Sequence, residues 1–127
     1  MKTIVIGASL SGKTTLASRF PQSIDINEEY SDNIPKIIDE ALNKKDVIFF
    51  VNTDYITLDD LRRAKTLGFK IIQLELTLSE LQKRNTSPDL NQWLEDMIDY
   101  QNELKKIGLI DQSIDATMPV EQIAKLL

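Results

Sequence analysis

An apolar run, Thr3-Ile4-Val5-Ile6, leads directly into Gly7-Ala8-Ser9-Leu10-Ser11-Gly12-Lys13-Thr14-Thr15. The run has the length and composition of a buried strand. Residues 13–20 carry Leu16, Ala17 and Phe20 at helical spacing, and Pro21 closes that pattern. Between strand and helix the spacing is G-x-x-x-x-G-K-[ST]. Of the chain's four glycines, two occupy the glycine positions of this pattern; Gly68 and Gly108 fall where helices stop. A loop of this kind needs glycine where the backbone turns sharply or approaches a ligand. Its successive N–H groups, backed by the open end of a helix, attract anions. Average residue frequencies give a chance match only about once in a few hundred chains of this length. Residues Gly7 to Thr15 are therefore a candidate phosphate cradle. In such a cradle Lys13 would reach the β- and γ-phosphates of a nucleoside triphosphate, and the Thr14 hydroxyl would ligate Mg²⁺. The competing explanation is an ordinary strand-to-helix turn.

The rest of the chain alternates strand and helix patterns. Residues 23–26 read as a weak second strand and residues 33–43 as a helix, with Ile34, Ile37, Ile38, Ala41 and Leu42 on one face. Residues 47–51 are apolar throughout, as in a central parallel strand covered on both sides. Thr57 caps a helix that ends near Gly68, with Asp60 in the place of the usual capping-box Glu. Residues 71–76 form a fourth strand and residues 79–84 a short helix. Asn85-Thr86-Ser87-Pro88 breaks the pattern. Pro88 starts a long helix to about residue 106, with a buried stripe of Leu90, Trp93, Leu94, Met97, Ile98 and Leu104. A short fifth strand over 113–116 and a last helix over 119–127 complete the chain. Such alternation predicts one domain over residues 1–127: a three-layer α/β/α fold with a mainly parallel, about five-stranded sheet. Ligands on such sheets bind at the carboxyl ends of the strands.

Composition narrows the chemistry. The chain of 127 residues has neither Cys nor His, so thiolate catalysis, imidazole bases, Ser-His-Asp triads and Cys-zinc sites are excluded. The net charge of -5 argues against a nucleic-acid partner, which selects for clustered Lys and Arg. No apolar run approaches membrane-spanning length, which sets the expectation of a cytoplasmic protein without a membrane partner.

The phosphate loop resembles that of the P-loop NTPases. Within them, Asn43-Lys44-Lys45-Asp46 matches the letters of the guanine-reading motif N-K-x-D. Here, however, it follows a helix and precedes a strand, and no D-x-x-G accompanies it. The strand over 47–51 ends in Asn52-Thr53-Asp54, without the acidic pair of motor and AAA-type ATPases. Residues 47–85, VIFFVNTDYITLDDLRRAKTLGFKIIQLELTLSELQKRN, are similar to the middle of small P-loop kinases of the polynucleotide-kinase, gluconate-kinase and nucleoside-monophosphate-kinase type. The end of the chain, GLIDQSIDATMPVEQIAKLL, resembles their last strand and helix.

That resemblance implies ATP and Mg²⁺ as cofactors. It assigns Asp25 to activating the acceptor hydroxyl or organising Mg²⁺, and Arg84 to covering the adenine and stabilising charge on the moving phosphoryl group. Ala116, Thr117 and Met118 would line the base pocket; the alternative for them is a plain strand-to-helix loop. Asp54 either binds the metal through water or begins a turn. Arg62 and Arg63 are possible acceptor contacts, of which at least one must face solvent. Glu28 and Glu29 read as solvated charges at a helix entry. The chain also departs from the pattern. Val51 stands where the family has Asp, Asp54 replaces an Asn, no Arg follows Asp25, and only Arg19, Arg62, Arg63 and Arg84 are present in all. A kinase that clamps two sets of phosphates needs more arginines. The expectation is an ATP-dependent phosphotransferase acting on a small hydroxyl or single-phosphate acceptor. The alternative is a catalytically weak nucleotide-binding module with a regulatory or assembly role.

Overall fold

The computed structural model describes residues 1–8, 11–26, 33–85 and 91–127. Ser9, Leu10, Glu28, Glu29, the break at residues 86–88 and Leu90 lie outside the described residues. Five strands, β1 (Lys2–Gly7), β2 (Ile24–Ile26), β3 (Val47–Asn52), β4 (Lys70–Glu75) and β5 (Gln112–Asp115), form one sheet in the order β2-β3-β1-β4-β5. Every pairing is parallel. The helices are α1 (Lys13–Ala17), α2 (Ile34–Leu42), α3 (Leu58–Thr66), α4 (Leu78–Arg84), α5 (Asn91–Lys106) and α6 (Val120–Leu126). The three-layer parallel fold expected from the alternation is the fold observed.

Period-two alternation on doubly buried strands explains the layering. Ile4, Ile6, Phe49, Val51 and Ile71 face one side, where they pack with Ile38, Leu61, Ala64 and Leu104 of α2, α3 and α5. Val5, Ile48, Phe50, Ile72 and Leu74 face the other, against Leu16, Ala17 and Ile123 of α1 and α6. A smaller cluster joins Ala8 to Leu81, Leu94 and Met97, tying the base of the glycine loop to α4 and α5.

Several boundaries differ from the sequence pattern for local reasons. The helix after the loop stops at Ala17 instead of Phe20. Ser18 turns its hydroxyl back to the Thr15 carbonyl at 2.6 Å, and the Arg19 and Phe20 amides bond three residues back, to Leu16 and Ala17. This is the tightened end of a helix, competed away by a local side-chain bond. Thr53–Tyr55 winds as a single 3-10 turn, which no hydrophobic period announces. In α5 the buried stripe includes Gln101, 4% exposed, while Ile98 is only partly buried. The capping box of α3 forms as expected: the Asp60 amide donates to Thr57 Oγ1 at 3.1 Å, and the Thr57 amide donates to Asp60 Oδ2 at 3.2 Å.

Strand order places the site. The chain leaves β1 and skips a strand position to make β2, and β3 then fills the gap. It later continues on the other side of β1 with β4 and β5. A sheet built outward in both directions from a central strand opens a crevice at that strand's carboxyl end. Gly7 closes β1 there, level with Asn52 of β3 and Leu74 of β4.

Candidate functional site

The two loop glycines are required for different reasons. A Cβ at Gly7 would sit 2.5 Å from Ser11 Oγ and 3.3 Å from the Leu74 Cβ, so the loop closes onto a position that must be bare. Gly12 has open space around it but a φ of 92°, a left-handed conformation that L side chains rarely adopt, immediately before α1. Ser11 is buried and its amide bonds to the Ala8 carbonyl at 3.1 Å, which folds the loop over itself.

Lys13 is the first residue of α1 and is 6% exposed. Its ammonium donates to the Gly7 carbonyl at 2.8 Å, the Ala8 carbonyl at 2.7 Å and Ser11 Oγ at 3.2 Å. Burial lowers its pKa to about 7, only partly offset by attraction to Asp25 and Asp54. A cation held in this way has lost most of its water and lacks a full counter-charge, so an arriving anion gains most where the ammonium already sits.

The two carboxylates that attract this ammonium stand on different elements. Asp25 is half-buried in β2 beside Phe50 of β3. With Thr14, Ala17, Ser18, Phe20, Pro21 and Ser23 it lines a cleft of about 320 Å³. Asp54 lies in the 3-10 turn after β3. Although the residue as a whole is exposed, partial desolvation of its carboxyl raises its pKa, against hydrogen bonds from its own amide and from Trp93 and against the pull of Lys13. Thr14 and Thr15 are exposed at the mouth of the loop.

A second cleft, of about 170 Å³, opens on the other side of the loop. Ser11, Gly12, Thr15, Leu16, Leu74, Arg84, Ala116, Met118, Val120 and Ile123 line it. The structure thus brings Arg84 together with the β5–α6 loop and the helix start, three segments far apart in sequence. Arg84 Nε also lies 3.8 Å from Glu80 Oε1 on the same helix. Thr117 does not line this cleft. Its amide and hydroxyl donate to Asp115 Oδ1 at 2.9 and 2.7 Å, which lowers the pKa of that carboxyl, and it faces a neighbouring, more polar cleft of about 520 Å³. Arg62 and Arg63 are both exposed on α3, and Arg63 pairs with Asp39 of α2 at 2.8 Å. Asn43 to Asp46 is a helix end, where Asn43 Nδ2 donates back to the Asp39 carbonyl at 3.0 Å.

Sequence reasoning missed Trp93, Tyr100 and Gln101 of α5 as neighbours of this site. Trp93 was legible only as one apolar position in a helical stripe.

No protein-family model matches the sequence, and no curated protein sequence matches it. Solved structures do match its shape. A shikimate kinase from Aquifex aeolicus vf5 aligns with a TM-score of 0.72 at 16% identity, covering 99% of this chain and 92% of that one. A gluconokinase from Sinorhizobium meliloti 1021 aligns with a TM-score of 0.69 at 13% identity, over 98% of this chain and 87% of that one. The fold is that of the small P-loop kinases. A deoxyadenosine kinase from M. mycoides matches it with a TM-score of 0.56 at 14% identity, over 99% of this chain and 95% of that one. Within the P-loop kinase fold, the crevice above β1 is where loop, ammonium and carboxylates converge here.

The oxygen donors on that crevice suit Mg²⁺ delivered with a nucleotide. Mg²⁺ keeps several waters and binds through one or two protein oxygens plus substrate phosphates. Thr14 would offer a hydroxyl and Asp54 a carboxylate for such a set. Among the described residues no group of three or more acidic side chains stands ready to hold a cation alone. Also among the described residues, no helix is long and apolar enough to cross a membrane.

Proposed function

We propose that this protein binds Mg²⁺-ATP on residues 7–15 and transfers its γ-phosphoryl group to a small hydroxyl or single-phosphate acceptor seated beside Asp25. The observation that carries the proposal is the buried Lys13 ammonium, folded onto the loop carbonyls with Asp25 and Asp54 facing it. Loop amides and Lys13 take the β- and γ-phosphates. Bound Mg²⁺ neutralises charge on the same phosphates, held from the protein side by Thr14 and by Asp54 through water. Arg84, Ala116 and Met118 flank the purine in the apolar cleft. Asp25 orients the acceptor hydroxyl and takes its proton. The acceptor oxygen forms a bond to the γ-phosphorus as the bond from that phosphorus to the bridging oxygen breaks, and ADP leaves with the electron pair. Such a reaction runs on positioning and charge stabilisation, which suits a chain without His or Cys.

Thermal shift with a non-hydrolysable ATP analogue and a panel of acceptors tests the acceptor class. Small alcohols and small singly phosphorylated compounds other than nucleotides should raise the melting temperature beyond the nucleotide alone. A response to nucleoside monophosphates only would contradict it.

The second reading is a nucleotide-binding module with little turnover. It is favoured by the cation supply: among the described residues, Arg84 is the one guanidinium lining either cleft beside the loop. Tight ATP binding without transfer to any acceptor or to water would select this reading.

A further inference from the structure

The helix α5 carries three side-chain donors at positions i, i+7 and i+8, Trp93, Tyr100 and Gln101, which a helix places on one face. All three end on the chain that leaves β3. Trp93 Nε1 donates to Asp54 Oδ2 at 3.1 Å, Gln101 Nε2 donates to Thr53 Oγ1 at 2.7 Å, and the Tyr100 hydroxyl donates to the Ile56 carbonyl at 3.2 Å. The middle contact is dry: Gln101 is 4% and Thr53 0% exposed. Below it, Leu94 and Met97 of the same helix pack on Ala8 at the base of the glycine loop. One helix therefore touches both the phosphate loop and the turn bearing the candidate metal carboxylate.

The chemistry of the contacts suits positioning. An indole N–H only donates, so it has a single use at this place. Trp has a rigid ring on two torsions and orders at small entropic cost. Asp54 stands on a short turn whose carboxylate would otherwise share its time among rotamers, and ordering it at the moment of binding would weaken that binding.

We infer that Trp93 is a positioning residue of the phosphate site: with Gln101 and Tyr100 behind it, it holds the Asp54 carboxylate toward Lys13, ready for Mg²⁺-triphosphate. The inference rests on the nucleotide reading above and adds to it an element outside the loop. It also gives the protein an internal reporter, because Trp93 is the only tryptophan of the chain.

The test measures ATP binding as a function of Mg²⁺ concentration in the wild type, Trp93→Phe, Asp54→Asn and the double variant. Trp93→Phe keeps a ring and removes the donor. It should raise the Mg²⁺ concentration needed for half-maximal ATP binding by about tenfold, the scale of one hydrogen bond to a charged group. Binding of ATP in EDTA should not move. The double variant should need no more Mg²⁺ than Asp54→Asn alone, since both changes remove the same arrangement. In the wild type, independently of any variant's folding, tryptophan emission should change with Mg²⁺-ATP and not with ATP in EDTA. A merely structural Trp93 predicts a lower melting temperature with an unmoved Mg²⁺ requirement and silent emission, and that result overturns the inference alone. Absence of ATP binding under all conditions overturns the nucleotide reading, and this inference with it.

Discussion

Lys13 concentrates the physics of the site in one side chain. Burial lowers the pKa of its ammonium from the ordinary lysine value of 10.5 to about 7 in the fold. Between those values the unfolded chain holds a proton that the folded protein lacks. By linkage, this residue makes the fold more stable as pH rises from 7 to 10, and its full burial penalty is present below 7. A bound triphosphate reverses the shift, because a negative charge favours the protonated form. Titration calorimetry of Mg²⁺-ATP at pH 8 in buffers of different ionisation enthalpy should therefore show uptake of close to one proton, falling toward none by pH 6. Zero uptake at pH 8 would mean that Lys13 is charged before the nucleotide arrives. The glycines give a second prediction at this scale. Gly7→Ala forces its Cβ against Ser11 Oγ and should cost about 1–3 kcal/mol in urea unfolding, part of which a Ser11→Ala change returns. Gly12→Ala meets no neighbour. It should cost about 1–2 kcal/mol through its left-handed backbone alone, with no rescue from Ser11→Ala. Equal rescue of both would refute the distinction.

Among the elements, the helices show which signals a sequence can carry. The box at the start of α3 was legible because its two partners stand three residues apart and their geometry is local. Thr57→Ala should cost about 1 kcal/mol and lower the melting temperature by about 3–5 °C, read by circular dichroism. An unchanged melting temperature would mean that the cap contributes nothing. The end of α1 was not legible, because whether Ser18 bonds to solvent or back to the Thr15 carbonyl is settled by geometry, not by hydrophobic period. Nor was the brace from α5 to Thr53, Asp54 and Ile56. Those partners lie 39 to 48 residues away, and an indole on a helical stripe reads as core until its N–H is seen to end on a carboxylate. Thr117 shows the converse. Its place in the last loop was anticipated, yet its hydroxyl turns to Asp115 and away from the cleft that Ala116 and Met118 line.

For the whole molecule, the sheet converts scattered residues into one crevice. β1 lies at its centre, paired along its length with β3 and β4, so the glycine loop is anchored in the best-buried part of the protein. The layered fold was readable because alternation of strands and helices is a global pattern, repeated five times along the chain. The candidate loop from Gly7 to Thr15 could be proposed from consecutive residues alone, whereas Asp25, Asp54 and Arg84 could be proposed only through the resemblance. That Asp25 and Asp54 act on Lys13, and that Arg84 meets the β5–α6 loop, depends on strand order, which the central apolar strands constrain without dictating. At this scale the proposed function needs a sheet that holds the buried Lys13 ammonium against the base of the glycine loop, where a polyphosphate would bind. The most direct test is calorimetric titration of Mg²⁺-ATP into wild type and Lys13→Ala. Saturable one-to-one binding is predicted, weakened about 30–150-fold by the substitution, which corresponds to about 2–3 kcal/mol for a charge-assisted contact. No binding to the wild type, or equal affinity in the two proteins, would contradict it.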